Sequence, residues 1–182
     1  MIYIGICILA FVLFFIYDIN GVTKNCPIIK PFFFLGGALL LGDLIVILCL
    51  SRFQFSLDKI LIILFAILFF TLLVYTLFFA LPFKETYLSD GLPSVCDTGV
   101  YALCRHPGVL WLLGFSTMLC FLFDGELIRY YTLTANLLNL LYIIFQDIYT
   151  FPKLFCNYHD YKKKTPFLIP NIESIHICFK SV

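Results

Sequence analysis

Charge is what this 182-residue chain has least of: Asp, Glu, Lys and Arg make up 13% of it against 62% apolar residues, and the formal net charge is +1. An ordinary soluble domain carries roughly 25% charged residues, so that class is excluded. No basic stripe is present to follow a phosphate backbone, which excludes nucleic acid as a partner. Cysteines never stand in a Cys-x-x-Cys pair, and Cys104 with His106 is only half a ligand set, so no metal site is expected. The first apolar run, Ile2 to Ile16, has no positive residue before it and no small-residue cleavage pattern after it. It is therefore expected to be a retained membrane helix and not a signal peptide. Internal repeats and low-complexity linkers are absent as well.

What the chain does have is a series of long apolar runs, over residues 2–17, 31–50, 59–81, 108–123 and 130–151. Each is close to the roughly 20 residues that cross a bilayer. The expected fold is all-α: a polytopic membrane helical bundle of five transmembrane helices, in a single domain covering 1–182. Short polar turns separate the runs at Asp18 to Lys30, Arg52 to Asp58 and Asp124 to Arg129, and the longest loop is Pro82 to Cys104. In the segment 152–182 the chain is amphipathic and basic through Lys164, where a short amphipathic helix is expected, and it ends in Pro166-Phe-Leu-Ile-Pro170 and a tail that shows no pattern.

With five spans the N-terminus and two short turns share one side, and the first turn, the long loop and the tail share the other. The second side carries Lys24, Lys30, Lys84, Arg105, Lys153, Lys162, Lys163, Lys164 and Lys180, against Arg52, Lys59 and Arg129 on the first. The positive-inside rule makes the loop-and-tail side cytoplasmic, with the N-terminus outside. Cys26, Cys96, Cys104, Cys156 and Cys178 then lie toward a reducing compartment, and no disulfide framework is implied.

Against this background the ionisable residues stand out. In Gly99-Val-Tyr101-Ala-Leu-Cys104-Arg105-His106-Pro107, a proline follows an arginine and a histidine and opens an apolar run. Proline is well tolerated at a first helical position, so Arg105 and His106 are expected at a helix mouth, where unpaired N–H groups and the helix dipole favour an anion. Headgroup anchoring is the alternative use of such residues. Asp43 and Asp147 lie inside apolar runs, where an acid normally faces a bundle interior or a cavity. Asp43 lies two turns from Gly36 and can serve simple helix packing. In the fifth run Thr132, Asn136, Asn139, Gln146, Asp147 and Thr150 fall on one arc, interrupted by Ile143. Such a stripe is expected to line a helix interface or a polar cavity, with Asp147 at its wet end.

The pattern Gly99-x-Tyr101-x-x-x-Arg105-His106-Pro107, a span, an acid late in the next span, Tyr158-x-x-Tyr161 and Pro166-x-x-x-Pro170 resembles the integral-membrane methyltransferases of the isoprenylcysteine carboxyl methyltransferase and phospholipid methyltransferase group. The likeness covers the C-terminal half. It implies a small helical bundle with S-adenosylmethionine as cofactor, and a lipophilic acceptor drawn from the bilayer. It also implies that Tyr101, Arg105, His106 and Pro107 hold the charged end of the cofactor, that Asp147 stands near the reacting centre with Arg105, and that Tyr158 and Tyr161 close the pocket.

The chain departs from the family at three points. An aromatic usually stands two residues after the proline and a glycine two further on, where this chain has Val109 and Trp111; Gly114, one turn below, is expected to relieve the crowding. The family's paired glutamates are Gln146-Asp147 here, and the glycine usual before the tyrosines is missing. Two other readings use the same residues: an NADPH-dependent membrane sterol or steroid reductase, and a non-catalytic membrane lipid-binding protein. The reductases usually place Asn and an aromatic after His-Pro, where Gly108-Val109 stand here. A soluble methyltransferase is excluded by the lack of a Gly-rich strand-to-helix turn.

Overall fold

The computed structural model describes residues 1–80 and 93–181. The end of the third apolar run at Leu81 and the start of the long loop, with Pro82 and Lys84, lie outside the described residues. The chain is mostly helical: α1 (Ile2–Val22), α2 (Phe32–Leu50), α3 (Ile60–Phe78), α4 (Val100–Leu103), α5 (Pro107–Leu122), α6 (Glu126–Phe145), α7 (Phe151–Leu154), α8 (Tyr158–Lys164) and α9 (Ile172–Lys180). Among the described residues, three helical stretches are long and apolar enough to cross a membrane: Ile2–Val22, Pro27–Leu50 and Leu57–Phe78. α5 has 16 residues, about 24 Å at 1.5 Å per residue, against a hydrocarbon layer of about 30 Å. α6 is long enough but carries Glu126, Arg129 and the polar stripe.

α1 packs on α2 and α6, α5 on α6 and α3, so neighbours in space are only partly neighbours in sequence. The core of the bundle is built by Cys7, Phe11, Ile47, Leu119, Ile128, Tyr131 and Tyr142. Gly36 decides how closely α1 and α2 approach, because a Cβ there would stand 2.7 Å from the Phe14 ring and 2.9 Å from the Ala10 carbonyl oxygen. Gly114 does the same between α5 and α3, where a Cβ would lie 2.7 Å from the Phe69 ring. Its smallness serves Phe69, whereas the sequence reading had it relieving Trp111.

Two-residue strands β1 (Arg52–Phe53) and β2 (Phe123–Asp124) pair antiparallel, Arg52 opposite Asp124. They clip the α2–α3 and α5–α6 turns together at one end of the bundle. Gln54 Nε2 donates to Asp124, and Lys59 Nζ to Gln54 Oε1 at 2.8 Å and to the Phe121 carbonyl at 3.0 Å.

Three boundaries differ from the sequence reading. α1 runs on through Asp18 and Asn20, which that reading placed in a polar turn. Both are buried with partners: Gln146 Nε2 donates to Asp18 Oδ2 at 2.9 Å, and Asn20 exchanges two bonds with the backbone of Cys26 at 2.8 and 3.0 Å. Val100–Leu103 is a helical turn within what read as loop. The tail, which offered no pattern, folds as α9 behind a reciprocal cap in which Ser174 N donates to Asn171 Oδ1 at 2.8 Å and Asn171 N to Ser174 Oγ at 3.0 Å.

Candidate functional site

The site lies at the bundle end opposite the β1–β2 clip, where α5 begins and α6 ends. Gly99 turns the chain into α4 with φ +58°, a backbone geometry that only glycine enters freely. Its N–H donates to Ser181 Oγ at 2.9 Å, beyond the end of α9. After α4 the chain extends through Cys104, which is fully buried, and the Arg105 N–H donates to the Pro166 carbonyl at 2.9 Å. Pro107 then opens α5 with His106 as its cap residue. The expected helix mouth is present, and the Pro166 segment is part of its support.

Facing it, α6 widens into a π-helical turn, Gln146–Thr150, before Pro152 in α7. Pro152 lacks an N–H for the carbonyl four residues back and its ring crowds that oxygen, so a wider turn before it relieves the clash. π-turns also occur often at functional sites. Here the turn sends Gln146 toward α1 and Asp147 toward Arg105.

Asp147 is 5% exposed and gathers most of the charge of the site. Its Oδ1 lies 2.6 Å from Arg105 Nη1 and accepts from Tyr158 Oη at 2.6 Å, and its Oδ2 accepts from Lys162 Nζ at 2.6 Å. His106 Nε2 stands 3.8 Å from Oδ1, beyond hydrogen-bond reach. The Arg105–Asp147 contact is a buried ion pair. Arg105 Nε and Nη1 and His106 Nε2 are buried and have no hydrogen-bond partner among the described residues.

Aromatic rings wall the cluster. His106 stacks on Phe151 at 5.8 Å and meets Phe167 edge-on at 5.2 Å, and the Arg105 guanidinium carbon lies 5.3 Å over the Phe167 ring. Tyr158 packs on Phe151 at 5.6 Å and is 1% exposed. Burial holds the His106 imidazole below its ordinary pKa, with Asp147 opposing the shift. Burial also pushes the Tyr158 and Tyr161 hydroxyls well above the usual tyrosine value, so both remain protonated donors.

Of the residues singled out from sequence, Arg105, His106, Asp147 and Tyr158 converge. Tyr101 and Tyr161 are tied into the frame instead: Tyr161 Oη donates to the Tyr101 carbonyl at 2.7 Å, and Tyr101 Oη to the Thr76 carbonyl at 2.9 Å. Trp111 likewise donates to Thr76 Oγ1 at 3.0 Å, which directs it onto α3. Sequence reading missed Lys162, whose only signal was its place four residues after Tyr158, and missed Phe151 and Phe167 as walls. The polar stripe of α6 divides. Thr132 and Asn136 bond across to Cys120 at 3.1 Å and Ser116 at 2.8 Å on α5, Gln146 turns to α1, and Asp147 alone reaches the cation cluster. Asp43 is buried between helices, with Oδ2 unpartnered among the described residues.

Comparison of the chain with models of protein families, with curated proteins and with solved structures finds no match. The chemistry of the site must then carry its interpretation. Arg105 and Lys162 bring two positive charges to one carboxylate, leaving one in excess, and buried nitrogens of Arg105 and His106 are unsatisfied. A buried unsatisfied donor costs about 1–3 kcal/mol, more when charged. The arrangement is suited to a ligand's anionic group, with aromatic rings excluding water around it.

Proposed function

We propose that the chain is an integral-membrane methyltransferase that uses S-adenosylmethionine to methylate a lipophilic acceptor, an isoprenylcysteine carboxylate, a phospholipid or similar, at the cytoplasmic face. The observation that carries this reading is the excess positive charge around Asp147, together with the unsatisfied nitrogens of Arg105 and His106. A carboxylate such as the cofactor's supplies both the missing charge and the missing acceptors, so the residues fit the group. The family resemblance of the same segment adds the methyl-transfer chemistry.

In this reading the bundle has five spans, α5 and α6 completing the three apolar helices. The N-terminus lies outside, and the site end and the tail are cytoplasmic, in line with the basic residues at that end. When bound, the cofactor supplies a methyl group on a sulfonium, open to in-line displacement. The chain's own work is alignment and exclusion of water. Arg105 and His106 bind the anionic end at the helix mouth. Asp147, its carboxylate kept ionised by Arg105, Tyr158 and Lys162, fixes those donors at the helix mouth and presents a constant negative charge at the site. Pro107 sets the helix mouth, and Tyr101 and Tyr161 hold α3, α4 and α8 in register behind it. The acceptor enters sideways from the bilayer.

Calorimetry of the purified protein with S-adenosylmethionine and with NADPH, side by side, tests the reading, followed by methyl transfer from labelled cofactor into a membrane lipid extract. We expect binding of S-adenosylmethionine and transfer by the wild type, with Asp147→Asn folded yet strongly impaired. Binding of NADPH instead gives the site to the reductase reading, since a phosphate satisfies the same donors. Binding of neither leaves a non-catalytic membrane protein. Equal transfer by wild type and Asp147→Asn removes Asp147 from the mechanism.

A further inference from the structure

α9 has three distinct flanks. At 100° per residue Ser174 and Cys178 share one flank, and these are the buried and half-buried positions of the helix, turned onto the protein. Ile172, Ile175 and Phe179, spaced i, i+3 and i+7, form a second flank, and His176, Lys180 and Glu173 a third, with Ile177 between the third and the first. The second flank is not packed: Ile172 is 88% and Phe179 80% exposed, and Ile169 just before the helix is 80% exposed. Among the described residues nothing in the core of the bundle accounts for this stripe.

The position of α9 says what covers it. α9 packs on α4, and Tyr101 of α4 donates to the Thr76 carbonyl in the last turns of α3. There Leu77 and Phe78 of α3, and Phe79 just after it, are 51, 65 and 72% exposed. α9 is thus level with the place where an apolar helix long enough to cross a bilayer comes to its end. Its third flank is polar, and Lys162, Lys163, Lys164 and Lys180 sit at the same end of the molecule. Apolar flank, polar flank and nearby lysines are the pattern of a helix lying in the interface between headgroups and acyl chains. A helix of nine residues has little affinity for a bilayer alone, but one tethered to membrane spans meets the surface at high effective concentration.

We propose that α9 lies in the membrane surface, with Ile169, Ile172, Ile175 and Phe179 seated against the acyl chains of the bilayer that α3 crosses. The proposal rests on the reading of α3 as a membrane span. Seating α9 has a consequence for the site, because both ends of its segment brace the helix mouth. The Pro166 carbonyl before it accepts from Arg105 N at 2.9 Å, and Ser181 Oγ after it accepts from Gly99 N at 2.9 Å. Lipid contact at α9 therefore steadies the backbone that carries Arg105 and His106.

Tryptophan placed on each flank of the full chain tests this in liposomes of phosphatidylcholine and phosphatidylserine, with Trp111, the chain's one tryptophan, as the common background. Phe179→Trp and Ile172→Trp are expected to add blue-shifted emission that is lost when the acyl chains are brominated near the headgroup. His176→Trp, on the polar flank, is expected to stay water-like and unquenched. Water-like, unquenched emission from both apolar-flank variants overturns the proposal. Blue-shifted emission that ignores bromine but changes with protein density also overturns it, in favour of a second copy of the chain. Wild-type protein released from membranes by alkaline carbonate overturns the spanning reading itself, and the two failures are told apart by that control.

Discussion

In the proposed reading, affinity for an anionic ligand depends on Arg105, because its guanidinium is held by one carboxylate through Nη1 while its buried Nε has no hydrogen-bond partner among the described residues. A hydrogen bond to a charged group is worth about 1.5–3 kcal/mol, so Arg105→Ala is expected to weaken cofactor binding at least about tenfold in a calorimetric titration. Unchanged binding by a folded variant reduces Arg105 to a headgroup anchor. His106 adds a pH dependence whose sign is fixed by its environment. Burial among Phe151 and Phe167, beside Arg105 and Lys162, lowers its pKa in the folded protein, and Asp147 only partly opposes that. Between the lowered value and the ordinary value of about 6.5 the unfolded chain binds more protons than the folded one, so stability rises with pH across that window. His106 thus contributes fully above about pH 6.5, and its contribution is lost as the pH falls through the ordinary value toward the lowered one. Thermal unfolding in detergent between pH 5 and 8 is expected to show this slope in the wild type and a flatter one in His106→Gln. Equal slopes would mean that His106 titrates as it does in water.

At the scale of elements, legibility followed the physics of each signal. α1, α2 and α3 were readable because length and apolarity alone define a candidate span. The start of α5 was readable because Pro107 fits a first helical position. α9 was missed because its signal is not hydropathy but the Asn171 and Ser174 side chains three residues apart, reading as a cap only once each is seen to serve the other's backbone. The end of α1 was misplaced because Asp18 and Asn20 look like turn residues, and only their partners Gln146 and Cys26, distant in the fold or beyond the helix, make them acceptable inside it. Helix contacts of this kind yield their own prediction. Gly36→Ala gains about 1 kcal/mol of helix propensity, but its methyl would meet the Phe14 ring at 2.7 Å and the Ala10 carbonyl oxygen at 2.9 Å. A backbone oxygen moves only with its helix, and overpacking of this sort costs about 1–3 kcal/mol, so a net loss is expected. A lower midpoint of thermal unfolding in detergent checks it; a higher one would mean that α1 and α2 separate easily.

At the scale of the whole molecule, sequence alone does not say which helices touch, and the site depends on that. Arg105 before α5, Asp147 after α6 and Lys162 on α8 meet because α5 packs on α6 and because α8 folds back beneath them. The β1–β2 clip puts Arg52, Lys59 and Arg129 near the opposite end from Lys153, Lys162, Lys163 and Lys164, so the charge imbalance read along the sequence is also an imbalance between the two ends of the bundle. Since basic residues near span ends are retained in the cytoplasm, the site end is expected to face inward and the clip outward. Cys96 and Cys178, both half-buried, lie in the segments around the site, Cys96 before Gly99 and Cys178 on α9. A membrane-impermeant maleimide is therefore expected to leave both unmodified in intact cells and to label them once the membrane is permeabilised. The permeabilised sample separates inaccessibility across the membrane from burial within the protein, because a thiol hidden by packing stays unlabelled in both. Labelling of Cys96 or Cys178 in intact cells would invert the bundle. It would also move the charged site to the outer face, away from the cytosolic supply that an S-adenosylmethionine enzyme requires.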